Sequence, residues 1–246
     1  MFLETKGVVI RQTKYSEADK ILTIFTKEKG KIQAIAKGAR RPKSHLMGST
    51  ETFCYSDFLM YNGKNLYSVN QGQIIDSFYS LREDIYRLSY ATFILELIDS
   101  SILEEEPNEI LFELLIKTLK TLSNMTDNYK KLLLAFQIKY ISFIGFRPEL
   151  SSCVGCGNEV KSTVKFDILE GGVVCEKCFS NNFNQLNVSH GIIVLMKRLL
   201  YTKLEELDDV HLTDQDEKKI EEVLIKYITS HIEKKRFKSL EFLNTL

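Results

Sequence analysis

Two Cys-x-x-Cys pairs carry the strongest chemical signal in this chain: Cys153-Val-Gly-Cys156 and Cys175-Glu-Lys-Cys178, one short loop apart. Four thiolates so spaced can close a tetrahedron around one soft divalent ion, and Zn²⁺ prefers them. Such an ion is structural, because protein sulfur fills every position and none is left for water. The alternative is a pair of disulfides, which belongs to secreted chains. The sequence opens Met-Phe-Leu-Glu-Thr-Lys, charged at once and without an apolar signal core, so a reducing cytoplasm and a metal are expected instead. Gly157 suits the tight turn of a knuckle. Thr163 to Ile168 alternates like a strand, and Gly171-Gly172 offers a hairpin turn into Val173-Val174. The expected unit is a small ribbon over residues 151–180. It carries Glu159, Lys161, Lys165, Asp167 and Glu170, nearly balanced in sign, whereas a finger that reads DNA is basic. The ribbon is therefore expected to be a staple, to which one Zn²⁺ contributes about 10–16 kcal/mol of apparent binding energy.

A second concentration of chemistry is cationic. Lys37-Gly-Ala-Arg40-Arg41-Pro-Lys43-Ser44-His45 gathers four cations with a glycine and a hydroxyl, and no acid interrupts it. Such a loop suits phosphate, since a guanidinium can fork two hydrogen bonds onto phosphate oxygens. Lys6, Arg11 and Lys14 add cations to the same region. The bland reading is a solvated loop that keeps the surface soluble. The formal net charge of +0 hides an asymmetry. The first eighty residues hold 12 Lys and Arg against 7 Asp and Glu, a net +5, and the remainder holds 21 against 26, a net −5. A basic N-terminal part on an acidic remainder points to a polyanionic partner for the former. Tyr15, in a turn, and Phe53, Tyr55 and Tyr61, at one strand parity, are candidates to stack on bases, at about 1–3 kcal/mol each. Most aromatics of a small barrel are core, however, and Cys54 reads as a small buried hydrophobe.

No catalytic constellation emerges, and an enzyme is not expected. His45, His190, His211 and His231 are scattered without ligand spacing. Residues 155–162 superficially resemble a phosphate-binding P-loop, but Val160 stands where the second glycine belongs, Cys156 is assigned to the metal, and no strand precedes the loop. The acidic runs at 104–106 and 208–209 read as solvated helix ends. Apolar runs such as 132–136 are short and flanked by charge, so no membrane span is expected.

These groups need elements to position them. Residues 7–13, 20–26, 31–37, 51–61 and 66–69 read as five short strands rich in β-branched and aromatic residues, with turn signals at 15–19, 27–30 and Asn62-Gly63. Five strands without an early helix predict a small barrel over residues 1–80, with the OB-fold as the natural candidate and an SH3-like barrel close behind. From Ser80 the period changes to helical. One helix carries Leu81, Ile85, Leu88, Leu95 and Ile102, and a second carries Leu111, Leu115, Leu119 and Leu122. A third runs from Asn128 to Ile144 and stops at Gly145. Beyond the ribbon, Ser189 caps a helix to about Leu207, Thr213-Asp-Gln-Asp216 opens another through Lys235, and a short helix spans 240–243. The expected fold class is α+β: a five-stranded OB-fold barrel, then an all-α domain over 81–246 that carries the four-cysteine zinc ribbon as an insert.

Three stretches resemble one family in order. Arg11, Tyr15, Glu17 and Asp19 look like its opening strand and turn. Phe25-Thr26, Glu28, Gly30 and then Ala36-Lys37-Gly38-Ala39-Arg40-Arg41 with Lys43-Ser44 resemble its barrel signature. Gly145-Phe-Arg-Pro148-Glu-Leu-Ser-Ser-Cys153, with the second cysteine pair, resembles its zinc-bearing middle. The family is the bacterial recombination mediator and DNA repair protein RecO. Some of its members lack the cysteines; this chain has all four. The resemblance implies a cytoplasmic, nucleoid-associated protein that binds single- and double-stranded DNA. It implies annealing of complementary strands without ATP, including strands coated by single-strand-binding protein (SSB), and help, with RecR, in loading RecA. The implied DNA contacts are Arg11, Lys14, Lys37, Arg40, Arg41 and Lys43. The implied SSB contact joins that protein's acidic, apolar C-terminal tail to the helical domain, and needs a cation beside an apolar groove; Lys130, Lys131, Lys139 and Arg147 are candidates. The alternatives are a zinc-stapled RNA-binding module and an interaction scaffold.

Overall fold

The alternation of residues 30–36 sets the pattern for the first half of the molecule. In the structure, a computed structural model that describes residues 2–160, 164–180 and 184–246, strand β3 (Gly30–Ala36) buries Ile32, Ala34 and Ala36 and leaves Lys31, Gln33 and Ile35 on the other face. With β1 (Phe2–Tyr15), β2 (Asp19–Thr26), β4 (Tyr55–Asn62) and β5 (Tyr67–Asp76) it closes a barrel in the order β1-β2-β3-β5-β4. β1 pairs antiparallel with β4 through Val8 and with β2 from Gly7 onward, and a bulge at Ile10 bends it between the two. β3 and β5 are parallel, in register only at Ala34–Tyr67 and Ile35–Ser68. This is the OB-like barrel expected from the sequence. Val9, Leu22, Ile24, Ile32, Phe58 and Met60 fill it, and burying a side chain of this size contributes about 1.5–3 kcal/mol.

Three strands differ clearly from expectation. β1 runs from Phe2 to Tyr15 rather than over 7–13, its first residues pairing with β4. β4 starts at Tyr55 rather than 51, because Phe53 takes a left-handed φ of 74° and breaks the run. β5 continues to Asp76; its outer half, from Asn70, is largely exposed, with polar residues to Gln73 and then Ile74 and Ile75 side by side, and so has no alternation to read.

Helix α1 (Ile85–Ser101) follows a 3₁₀ turn at Tyr79–Arg82 and is capped by Asp84, whose carboxylate accepts the Arg87 N–H at 2.8 Å. Helix α2 (Glu109–Asn124) buries Leu111, Leu115, Leu119 and Leu122 along one face. Between them, residues 102–107 lie along β3. Lys31 and Glu104 form a parallel bridge, and the Glu105 N–H donates to the Lys31 carbonyl at 2.9 Å. Gly30 makes this approach achievable: its φ is +65°, and a Cβ there would stand 2.0 Å from the Glu106 carbonyl oxygen. Helix α6 (Lys238–Leu243) belongs with these elements. Phe237 packs edge-on to Phe93 at 5.4 Å, and the Ser239 N–H donates to Glu96 at 3.0 Å. The first compact unit is thus the chain through Asn124 with Phe237–Leu246 returning to it, and the second is Met125–Arg236.

In the second unit every residue of helix α3 (Tyr129–Phe143) from Lys131 to Ile141 is buried, and the helix gives way at Gly145, whose φ is +102°. A three-stranded ribbon follows, β6 (Val164–Asp167), β7 (Gly172–Cys175) and β8 (Gln185–Val188), in the order β7-β6-β8. Thr163 and Lys161 lie outside the described residues. Ser189 caps α4 (His190–Tyr201) by accepting the Ile192 N–H at 3.2 Å. The helix expected to reach Leu207 ends at Tyr201, and a 3₁₀ segment, Leu204–Asp209, replaces its last part. The buried residues there are Leu204, Leu207 and Val210; a spacing of three places them on one edge of a 3₁₀ helix and not of an α-helix. Helix α5 (Asp214–His231) has the expected capping box between Thr213 and Asp216 and buries Ile220, Val223, Leu224, Tyr227 and Ile228. Among the described residues no helix is long and apolar enough to cross a membrane.

Candidate nucleic-acid interface and metal centre

The turn between β1 and β2 and the loop after β3 form one platform at an end of the barrel. The Arg40 N–H donates to the Ala18 carbonyl at 2.9 Å, and its guanidinium donates to the carbonyls of Ser16 and Glu17, each at 3.1 Å. The Gly38 N–H donates to Asp19 at 2.7 Å. That hydrogen bond, helped by Ser16 and by the charges of Arg41 and Lys37, holds the Asp19 carboxyl below its ordinary range. Lys37, Arg41 and Lys43 stand exposed on this platform, and Lys43 takes a left-handed φ of 64°. Arg40 is exposed too, but one of its nitrogens is engaged in fixing the turn.

Strand parity divides the other two predicted cations. Arg11, Thr13 and Tyr15 share the outer face of β1, while Lys14 pairs with Lys20 on the alternate side. Lys20 is buried there against Glu51, 2.7 Å away. Arg11 donates to the Thr23 hydroxyl at 3.3 Å and lies 3.6 Å from Asp99 of α1. Of the aromatics, Tyr15 is 54% exposed beside the platform. Phe53 is buried under the Arg82 guanidinium, 5.6 Å from its ring centre, and Tyr55 packs edge-on to Phe112 at 6.0 Å. Tyr61 is exposed and pairs with Phe2 at 5.8 Å.

The four cysteines converge. Their sulfur atoms all lie within 4.8 Å of one another, with Cys156 and Cys175 at 3.7 Å. A tetrahedron with metal–sulfur bonds of about 2.3 Å has edges of about 3.8 Å, so the donor set fits one metal ion. A disulfide needs about 2.05 Å, and all four are free thiols. The knuckle is built by backbone hydrogen bonds: the Gly157 N–H to the Cys153 carbonyl and the Cys153 N–H to the Asn158 carbonyl, both 2.8 Å. Burial alone would push the Cys153 thiol up, but N–H groups of Cys175, Cys156 and Gly155 directed at its sulfur bring it down to about 6. The Cys178 thiol is pushed up to about 12, chiefly by Cys156 and Cys175. Behind the cluster Asp167 is buried and accepts the N–H groups of Leu169 and Glu170 at 3.0 and 3.1 Å, which fixes the β6–β7 turn.

The cations offered for a tail-binding site fare unevenly. Lys131 and Lys139 are buried on α3 and donate to the carbonyls of Val210 and Leu200 at 3.2 and 2.6 Å. Lys130 pairs with Glu221 at 2.8 Å. Arg147 is exposed, donates to the Tyr201 hydroxyl at 2.6 Å and lies over its ring. Sequence reasoning missed a groove of about 420 Å³ in the first unit, lined by Lys6, Lys27 and Lys117, by Tyr55, Phe112 and Ile116, and by Glu28 and Glu113; the Lys27 ammonium pairs with Glu109 at 2.7 Å. No local pattern marks the groove, because β1, β4 and α2 each supply only a part.

The sequence matches two family models in succession, "Recombination protein O N terminal" over residues 1–78 and "Recombination protein O C terminal" over residues 82–241. It is 39% identical over 241 residues to the DNA repair protein RecO of Alkaliphilus metalliredigens, covering 98% of each chain. The DNA repair protein RecO of Acetivibrio thermocellus is 36% identical over 245 residues, covering 100% of this chain and 97% of the relative. That of Bacillus subtilis is 31% identical over 241 residues, covering 96% and 94%.

Proposed function

The chain belongs to the recombination protein O family, and from that membership we propose that it is a recombination mediator of DNA repair that anneals complementary strands without ATP. One observation carries the reading: Lys37, Arg41 and Lys43 are exposed on a loop tied by backbone to an OB-like barrel, with Tyr15 exposed beside them. The cations neutralise phosphates on single- or double-stranded DNA and weaken the repulsion between two strands, which then pair by themselves. Tyr15 stacks on a base, Lys14 and Arg40 complete the contact, and Arg11 stands at its border. One structural Zn²⁺ sits among Cys153, Cys156, Cys175 and Cys178 and fixes the ribbon. The groove lined by Lys6 and Lys117 takes the acidic, apolar tail of SSB, since it offers amines together with the rings of Tyr55 and Phe112. With RecR, the protein assists RecA loading on SSB-coated DNA in the cytoplasm, at the nucleoid.

The test is annealing of complementary SSB-coated oligonucleotides without ATP. Acceleration that weakens with salt is expected, and five phosphate contacts on a single strand give a log–log binding slope of roughly −3.5. Replacing Lys37, Arg41 and Lys43 by Ala is expected to flatten that slope by about 2, at about 0.7 per contact. Replacing Lys6 and Lys117 by Ala is expected to weaken binding of an SSB tail peptide and leave naked-DNA binding unchanged. No acceleration together with no affinity for single strands at low salt refutes the mediator reading. A preference for structured RNA favours an RNA-binding module, and binding to SSB alone favours a scaffold.

A further inference from the structure

The outer face of β1, β2 and β3 is laid out in cross-strand rows. Arg11, Thr23 and Gln33 form one row, Thr13, Ile21 and Ile35 the next, and Tyr15 with Asp19 lies beyond, at the platform. This is the face on which OB-folds take oligonucleotides. Here it is divided. Phe25, one row below Arg11, is fully buried and packs edge-on to Phe112 of α2 at 5.6 Å. The Arg11 row is closed by a chain of polar contacts. Arg11 donates to Thr23, the Thr23 hydroxyl to the side-chain Oε1 of Gln33 at 3.3 Å, and the Gln33 side-chain Nε2 to Glu104 at 3.4 Å. Asp99 lies 3.6 Å from both Arg11 and Lys31, and its backbone carbonyl takes the Lys31 ammonium at 2.7 Å. The Thr13 row has no such cover: Thr13 is exposed, and Ile21 and Ile35 are half-buried.

We infer that Asp99 and Glu104 are positioning residues that fence this face. They confine a bound single strand to the half between Arg11 and the 37–45 loop, and Asp99 holds Arg11 as the border cation. The inference rests on the proposed DNA binding and adds the path of the strand. A carboxylate beside Arg11 competes with phosphate for the guanidinium and repels any phosphate that moves toward Gln33. Lys31 keeps its backbone partner and is largely buried, so Arg11 is the cation the fence withholds: its side chain is 58% exposed, against 13% for Lys31.

The test measures single-strand affinity against salt for the full chain and for D99N/E104Q, with an unchanged thermal melt as control. Removing the fence is expected to tighten binding at low salt and to steepen the log–log slope by about 0.7, one phosphate contact. Adding R11A is expected to abolish the gain. Unchanged or weaker binding by a folded D99N/E104Q overturns the inference. A measurement free of those substitutions is photo-crosslinking to single-stranded DNA from a reactive amino acid placed at residue 13 or at residue 33. Crosslinking at 13 and little at 33 is expected, and equal yields overturn the fence. If the wild-type chain binds no single strands at low salt, the proposed function falls; if it binds and these results fail, only the fence does.

Discussion

Four thiols within 4.8 Å cannot all ionise beside one another without a cation among them: backbone N–H groups draw Cys153 down to about 6, while Cys156 and Cys175 push Cys178 up to about 12. Metal capture must therefore expel protons, Cys178's above all. The sign follows, since acid competes with the metal for sulfur. Zn²⁺ affinity, read by competition with a coloured chelator, is expected to fall about tenfold or more per unit as pH drops from about 8 to about 6. A C178S variant is expected to lose most of the affinity and one proton's share of that pH dependence; an affinity flat across the range would contradict a thiolate site. The cysteine cluster was legible because Cys-x-x-Cys is a local pattern. The fate of Arg40 was not, because its bonds reach back to Ser16 and Glu17, and sequence proximity does not report such a return. Phe53 was misread for a related reason: its parity with Tyr55 holds only if the backbone stays extended, and its φ of 74° breaks the pattern.

Among elements, the segment 102–107 depends on one small residue. At Gly30 a Cβ would meet the Glu106 carbonyl oxygen at 2.0 Å, and the φ of +65° disfavours any L side chain. G30A is expected to cost about 2 kcal/mol or more in chemical denaturation, by displacing this segment; a cost near zero would mean the segment is held elsewhere. The strands that face a core on one side were readable, as in β3 with its strict alternation. The polar extension of β5, Asn70–Gln73, was not, since the strand is defined there by pairing with β4 rather than by burial. The early end of α4 was hidden because Leu204 and Leu207 taken alone, three apart, suit an α-helix as well as a 3₁₀ helix, and only Val210, three further on, separates the two.

At the scale of the whole molecule, the two compact units are expected to unfold separately. Stripping the metal with a strong chelator is expected to expose the amides of β6, β7 and β8 to hydrogen exchange while those of β1 to β5 stay protected. Loss of barrel protection as well would contradict separable units. The chain's course through those units also has a consequence for its making. It leaves the first unit at Asn124 and returns at Phe237. At synthesis rates of about 5–20 residues per second, the intervening residues keep the two parts of that unit apart for roughly 6–22 s. A nascent barrel with α1 and α2 must wait that long, with Phe93 lacking the ring of Phe237 that later covers it. During translation, then, the first unit starts earlier and finishes later than the second, and a chaperone that shields apolar surface would find its opportunity in that interval.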